Sequence, residues 1–436
     1  MKERMNKQLI ASLVGLVVCT SSAAQSGTNS PYSQFGLGML SDGATGFNKG
    51  LGGVGTAVKR SGYVNTLNPA SYSSIDSLTF IFDIGLSGQV TNFKEGNTKV
   101  NARNADFEYA VGAFRVAKRL GMSFGVMPFS NIGYSYKAYS TLNNNPTEQT
   151  ASTITETYTG EGGLHKAFVG IGWAPFDNMS IGVNAAYLWG SYKRAVTNSS
   201  STYINSIGKT YEGSVNSFAL DFGAQYTLPI NQDRLTVGAT VGVGHKLGTD
   251  PTCTITNTNS TTAKTVDSVF TATNALAIPM TYSLGVAWQR GTRWLVAADV
   301  ELQQWGGLSF PYYFQQTGVY EGRSDMLSNM TKVRLGVEWT PNDRDTRSYL
   351  KRVHYRLGAM YNTSYVKVNG QNGPKEFGIT AGFGLPIQNA WGGRSTINLS
   401  GAWVHSAASG LITENCFRIN LGITFNERWF QKWKVQ

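Results

Sequence analysis

The chain has 436 residues, 50 of them glycine, with 12% aromatic and 14% charged side chains and a formal net charge of +11. No run reaches the roughly 18 apolar residues of a membrane-crossing helix, no basic cluster interleaved with aromatics points to nucleic acid, and no linker-like shift in composition divides the chain into domains. Three cysteines and four histidines without ligand spacing give no reason to expect a disulfide framework, a metal centre or a cofactor.

Residues 1–24 read as a signal peptide. Met1–Gln8 is basic, Leu9–Val18 is apolar but too short to span, and Ser22-Ala23-Ala24 before Gln25 offers the small residues of a cleavage site. Cys19 leaves a lipoprotein signal as the alternative, and the bulky Val18 before it counts against that. Removal of Lys2, Glu3, Arg4 and Lys7 leaves a charge of about +9, an excess suited to anionic lipid headgroups.

Residues 25–77 are rich in glycine and other small residues and hold no sustained strand or helix period. Gly50, Gly52 and Gly55 make a formal G-x-G-x-x-G, but no strand precedes it and no βαβ unit surrounds it, which removes dinucleotide binding. A compact Gly-rich stretch ahead of a strand-rich region reads as a plug, or hatch, folded into a barrel.

From Leu78 to residue 426 the period changes to two. Val333, Leu335, Val337 and Trp339 alternate with Lys332, Arg334, Gly336 and Glu338, and the closing segment Cys416–Phe425 repeats the pattern. Fourteen such segments follow one another, each with one apolar and one polar face and about the length that crosses a bilayer when tilted. The prediction is an all-β fold, a transmembrane antiparallel β-barrel of about 14 strands. The connections alternate too. Thr91–Asp106, Lys137–Ile154, Val196–Glu212, Leu247–Pro279 and Gln303–Met330 read as long polar loops, and the segments between the other pairs as short turns, with Thr340–His354 longer than a turn should be. Short turns face the periplasm in such barrels, so the expected location is the cell outer membrane with both termini periplasmic. Trp173, Trp288, Trp294, Trp339 and Trp429 are expected in an aromatic belt at the short-turn end, and Trp189, Tyr192, Trp305 and Tyr365 in one at the long-loop end. Residues 427–436 form a basic, aromatic periplasmic tail that could dock a partner.

The run GFNKGLGGVGTAV followed by NTLNPAS, ahead of the first strand, resembles the N-terminal hatch of FadL-type outer-membrane transporters for long-chain fatty acids and other hydrophobic molecules. Asn68, Pro69 and Ala70 and the spaced Gly52, Gly53 and Gly55 carry the likeness. The C-terminal NLGITFNERWF is similar to endings in relatives of that family, including PorV-like subunits of secretion systems. The resemblance implies passive uptake of hydrophobic small molecules through a hatch-gated lumen, with Asn68-Pro69-Ala70 at the gate.

On this register Asp83, Asp221, Asp299, Glu301, Lys332, Arg334, Glu338, Arg356 and Arg418 point into the lumen. Asp299 and Glu301 are expected to pair with Lys332 and Arg334, beside Arg356. One reading is a charged stripe guiding an anionic headgroup; the other is a structural network that closes the lumen and holds the hatch. No nucleophile motif or phosphate loop marks an enzyme. Two functions stand: an uptake channel, preferred for its hatch, or a non-transporting subunit of an outer-membrane secretion or assembly complex. The partners expected are outer-membrane lipid, a hydrophobic small-molecule ligand, and outer-membrane or periplasmic proteins, with no nucleic acid.

Overall fold

A computed structural model of the chain describes residues 28–142, 152–200, 205–259, 261–262, 264–345, 347–388 and 394–428. The expected signal peptide, Cys19, Trp429, nearly all of the basic tail and both chain ends lie outside them.

Fourteen antiparallel strands form a closed ring: β1 (Thr79–Glu95), β2 (Thr98–Ala117), β3 (Leu120–Leu142), β4 (Ser152–Trp173), β5 (Met179–Ser200), β6 (Asn205–Ile230), β7 (Asp233–Gly242), β8 (Thr281–Arg290), β9 (Trp294–Gln303), β10 (Met330–Trp339), β11 (His354–Asn362), β12 (Lys375–Gln388), β13 (Arg394–Ala407) and β14 (Thr413–Arg428). The seam is the pairing of β1 with β14, which runs from Thr79↔Arg428 to Lys94↔Thr413 and leaves no open sheet edge there. Outward residues such as Leu284, Leu335, Leu357 and Ile419 are exposed, and their inward neighbours are buried polar or small residues. This inverted distribution is what a lipid solvent selects.

Each predicted strand forms. Several are longer than expected at the long-loop end. Residues 91–106 are a continuous hairpin of β1 and β2 turning at Gly96-Asn97, and β3 to β6 likewise run well into the segments expected to be loops. The cause is solvent. Above the bilayer both faces of a strand meet water, so the apolar–polar alternation fades while the backbone ladder continues. Leu247–Pro279 carries the hairpin Thr252–Asn259 and Lys264–Thr271, which pairs with the overhang of β6, and Gln303–Met330 carries the hairpin Phe310–Phe314 and Val319–Arg323.

The belt at the short-turn end is an outward row in which Trp294, Trp339, Tyr355 and Phe383 follow one another with ring centroids 6.0, 5.5 and 5.9 Å apart. The other expected belt is corrected. Trp189 faces outward beside Tyr187, but Tyr192, Trp305 and Tyr365 are buried inside. Tyr192 shares the inward parity of Asn184 and Leu188 along β5, opposite to Trp189, and Trp305 and Tyr365 lie past their strand ends on loops that fold into the barrel.

Candidate functional site

The described part of the N-terminal segment touches the barrel all the way round, so it lies within the ring. Its backbone presses directly on glycines of the wall. A Cβ on Gly358 of β11 would sit 2.2 Å from the Gly52 nitrogen, one on Gly238 of β7 2.1 Å from the Thr56 oxygen, and one on Gly182 of β5 2.4 Å from the Pro69 carbonyl carbon. Glycine is abundant here because the plug needs room that a side chain would fill. The plug is mostly irregular, with one helical turn at Gly46–Lys49 and a 3-10 helix at Pro69–Ser74. Its backbone polar groups are met by buried amides: the Asn48 side chain donates to the Val54 oxygen at 2.7 Å, and that of Asn65 to the oxygens of Gly55 and Val58 at 2.7 and 2.9 Å.

The Asn68-Pro69-Ala70 motif has a local reason. Asn68 caps the 3-10 helix by accepting from Ala70 N at 3.0 Å, Pro69 takes the first position, where an N–H has no partner to lose, and the Asn68 amide donates to the Thr56 oxygen at 2.7 Å. The glycines around it divide their tasks. Gly52 and Gly53 have φ of +70 and +84, and Gly52 N donates to the Thr380 hydroxyl on β12 at 2.9 Å. Gly55 N donates to Asp299 Oδ2 at 2.6 Å, and Thr56 N to the same oxygen at 2.9 Å.

The lumen charges form separate groups rather than one stripe. Glu301 accepts from Lys332 at 2.9 Å and Arg334 at 3.3 Å across the β9–β10 pair, as the register expected, and Arg334 reaches the Gly53 oxygen at 3.4 Å. Asp299 does not join them: it faces Arg334 in register but gives its carboxylate to the plug amides. Glu338 binds Arg356 at 2.7 Å and, on its other oxygen, Arg60 of the plug at 2.7 Å. Arg356 also donates to Asn398 at 2.6 Å and lies over the rings of Phe47 and Tyr63, 4.8 and 5.5 Å from their centroids. Arg418 stands apart, donating to Gln89 at 2.9 Å. Asp83 accepts from Tyr109, whose hydroxyl in turn accepts from Gly46 N at 2.6 Å. Sequence reasoning missed the plug's share of these groups, Arg60, Tyr63 and the Lys49–Glu108 pair at 2.6 Å, since periodicity does not place an irregular segment against a wall.

Three features bear on passage. Between the plug and β10–β14 is a cavity of about 130 Å³, bordered by Lys49, Gly53, Lys332, Arg334, Glu376 and Arg418. That is below the roughly 300–1,000 Å³ of ligand pockets, and its lining sets those charges beside a larger apolar share that includes Met39, Leu40, Met330, Met360 and Val404. Where the long loops meet the plug, a continuous apolar core including Leu37, Ile132, Leu188, Leu276, Trp305 and Tyr365 is packed and buried. Trp305 and Tyr365 lie 4.7 Å apart, Trp305 Nε1 donates to Gln303 at 2.7 Å, and Arg194 caps the Gly36 oxygen at 2.5 Å.

The third feature is a split in the wall. β2 pairs with β3 only from Ala110↔Val126 down to Ala117↔Leu120, and β3 bulges between Pro128 and Ser130 where the two part. A strap of the plug fills the opening. Met39 and Leu40 pair with Asn131 and Ser130, Ser33 bonds both backbone groups of Gly133, and on the far side Asn29 donates to Asn104 at 2.8 Å.

The sequence pattern of the BamG family matches residues 5–436, essentially the whole chain. The chain belongs to the BamG family. No curated protein matches it. Solved structures similar to this BamG-family barrel include the Pseudomonas putida toluene transporter TodX, 13% identical, covering 90% of this chain and 100% of that one with a TM-score of 0.59. The Ralstonia pickettii toluene transporter TbuX is also 13% identical, covering 89% and 98% with a TM-score of 0.58, and a Pseudomonas aeruginosa FadL homologue is 12% identical with the same coverages and score. At such identity the likeness is one of fold, and the fold is the FadL-type outer-membrane barrel with its N-terminal segment inside.

Among the described residues Cys253 and Cys416 are free and no cluster of metal-ligating side chains occurs.

Proposed function

We propose that this protein is a non-enzymatic, non-conducting barrel of the outer membrane that serves as a structural subunit or adaptor of an outer-membrane assembly or secretion complex. The observation that carries the reading is occlusion. The space between outer loops and plug, where a channel would hold a greasy ligand, is occupied by the core around Trp305 and Tyr365, and the lumen below it is crossed by a plug fixed through Asp299, Glu338 and the glycine wall.

One observation favours a second reading, passive uptake of hydrophobic small molecules such as long-chain fatty acids: the split between β2 and β3. A ligand reaching the plug would leave sideways into the bilayer there, once the strap at Met39-Leu40 moved. Gentle detergent extraction of the tagged protein from native membranes, with mass spectrometry of proteins and lipids, separates the two. Stoichiometric partner proteins and an empty barrel are expected. A solitary barrel carrying fatty acids overturns the structural reading and establishes the second.

A further inference from the structure

The connection between β10 and β11, residues 340–353, is far longer than the neighbouring turns, and it is built rather than slack. Asn342 N donates to the Lys351 oxygen at 2.8 Å, closing the loop at its neck. Asp345 accepts from the backbone of Arg347 and Ser348 at 2.8 and 2.9 Å and from Lys351 at 3.2 Å, contacts that hold its carboxyl below the usual range. Arg352 lies over the Tyr349 ring, 5.3 Å from its centroid.

Its position is fixed by one contact. The Tyr355 hydroxyl donates to the Leu350 oxygen at 3.1 Å, and Tyr355 belongs to the outward aromatic row that marks the bilayer boundary. The loop tip therefore stands level with that row on the outside of the barrel. There it exposes Leu350 to 68% and Tyr349 to 44%, apolar groups that water does not favour. Around them, Lys351 is engaged with Asp345, while among the described residues no carboxylate lies within ion-pair distance of Arg344, Arg347 or Arg352. Arg293 joins them, since its oxygen accepts from Thr340 N at 2.8 Å.

We propose that the described parts of the 340–353 connection form a foot on the short-turn rim that binds anionic phospholipid headgroups of the periplasmic leaflet, with Tyr349 and Leu350 inserted among the glycerol and upper acyl groups and the exposed Arg344 and Arg347 on the phosphates, while the largely buried Arg352 backs the Tyr349 ring. Guanidinium forks match phosphate oxygens in pairs, and a short apolar pair flanked by cations is the pattern of an interfacial anchor. The neighbouring Tyr355 row faces the bilayer, which sets the exposed Tyr349 and Leu350 at the lipid surface. The foot is independent of whether the lumen conducts.

The test is hydrogen–deuterium exchange of the full barrel in nanodiscs of phosphatidylcholine alone or with about one third phosphatidylglycerol; with the anionic lipid, amides of residues 347–352 are expected to exchange about threefold more slowly. The R344Q/R347Q variant, whose folding is checked by heat-modifiable gel mobility, should lose that difference, and Leu350→Ser should weaken protection in both discs. Equal exchange in the two lipids, or a difference that the double variant keeps, overturns the proposal. So does protection by inorganic phosphate in phosphatidylcholine discs, which would make this a simple anion site, or protection only after periplasmic proteins are added.

Discussion

At the scale of single residues the plug and wall are fitted by subtraction. Gly358→Val would drive a side chain into the Gly52 backbone, and overpacking of this kind costs about 1–3 kcal/mol. The expected result is a lower thermal midpoint and faster proteolysis within the plug, with barrel strands still formed by circular dichroism; a wild-type midpoint would show that the plug shifts freely. Glu338→Gln removes the anion shared by Arg60 and Arg356 and leaves Arg356 buried without a counter-charge, at a cost of about 3–5 kcal/mol. Limited proteolysis after Arg60 reads that loss, and unchanged cutting would mean that the aromatic rings of Phe47 and Tyr63 suffice to hold the cation. The inward direction of these charges was legible, because parity along a strand fixes which face Glu338 or Asp299 takes. Their partners were not. Asp299 sits opposite Arg334 in register, yet two plug amides outcompete it, and nothing in an irregular glycine-rich segment announces which of its N–H groups points at the wall.

At the scale of elements, strand identity followed from alternation wherever one face meets lipid, and it failed where both faces meet water. The overhangs of β1 and β2 carry Thr, Asn, Lys and Glu on both sides and so read as loop. The strap was illegible for a related reason: Met39-Leu40 is too short to show any period, and its pairing with Asn131 and Ser130 exists only because β2 leaves β3 above Ala110. Its mobility is testable. With native cysteines replaced, the Leu40→Cys/Ser130→Cys pair lies across a register position of the strap and should oxidise readily. A structural subunit would keep its partners with the strap locked, measured by co-purification. Loss of the complex on oxidation, reversed by reductant, would show that the split must open.

At the scale of the whole molecule, the outer face is an ordinary barrel and the inside is a packed protein core. In planar lipid bilayers the purified barrel is expected to give no stable ohmic steps, and liposomes carrying it should swell in small sugars no faster than empty ones. Discrete steps would mean that the plug leaves the lumen. The closed topology also bears on how the molecule is made. The seam joins the first strand to the last, while the segment ahead of the first strand touches the wall of the whole ring at backbone distance. No such segment can be threaded afterwards into a finished cylinder whose bore matches it so closely. It has to be in place before β14 meets β1, so the plug acts as the mandrel on which the sheet is rolled, and the final zipping of the seam seals in the tool that shaped it.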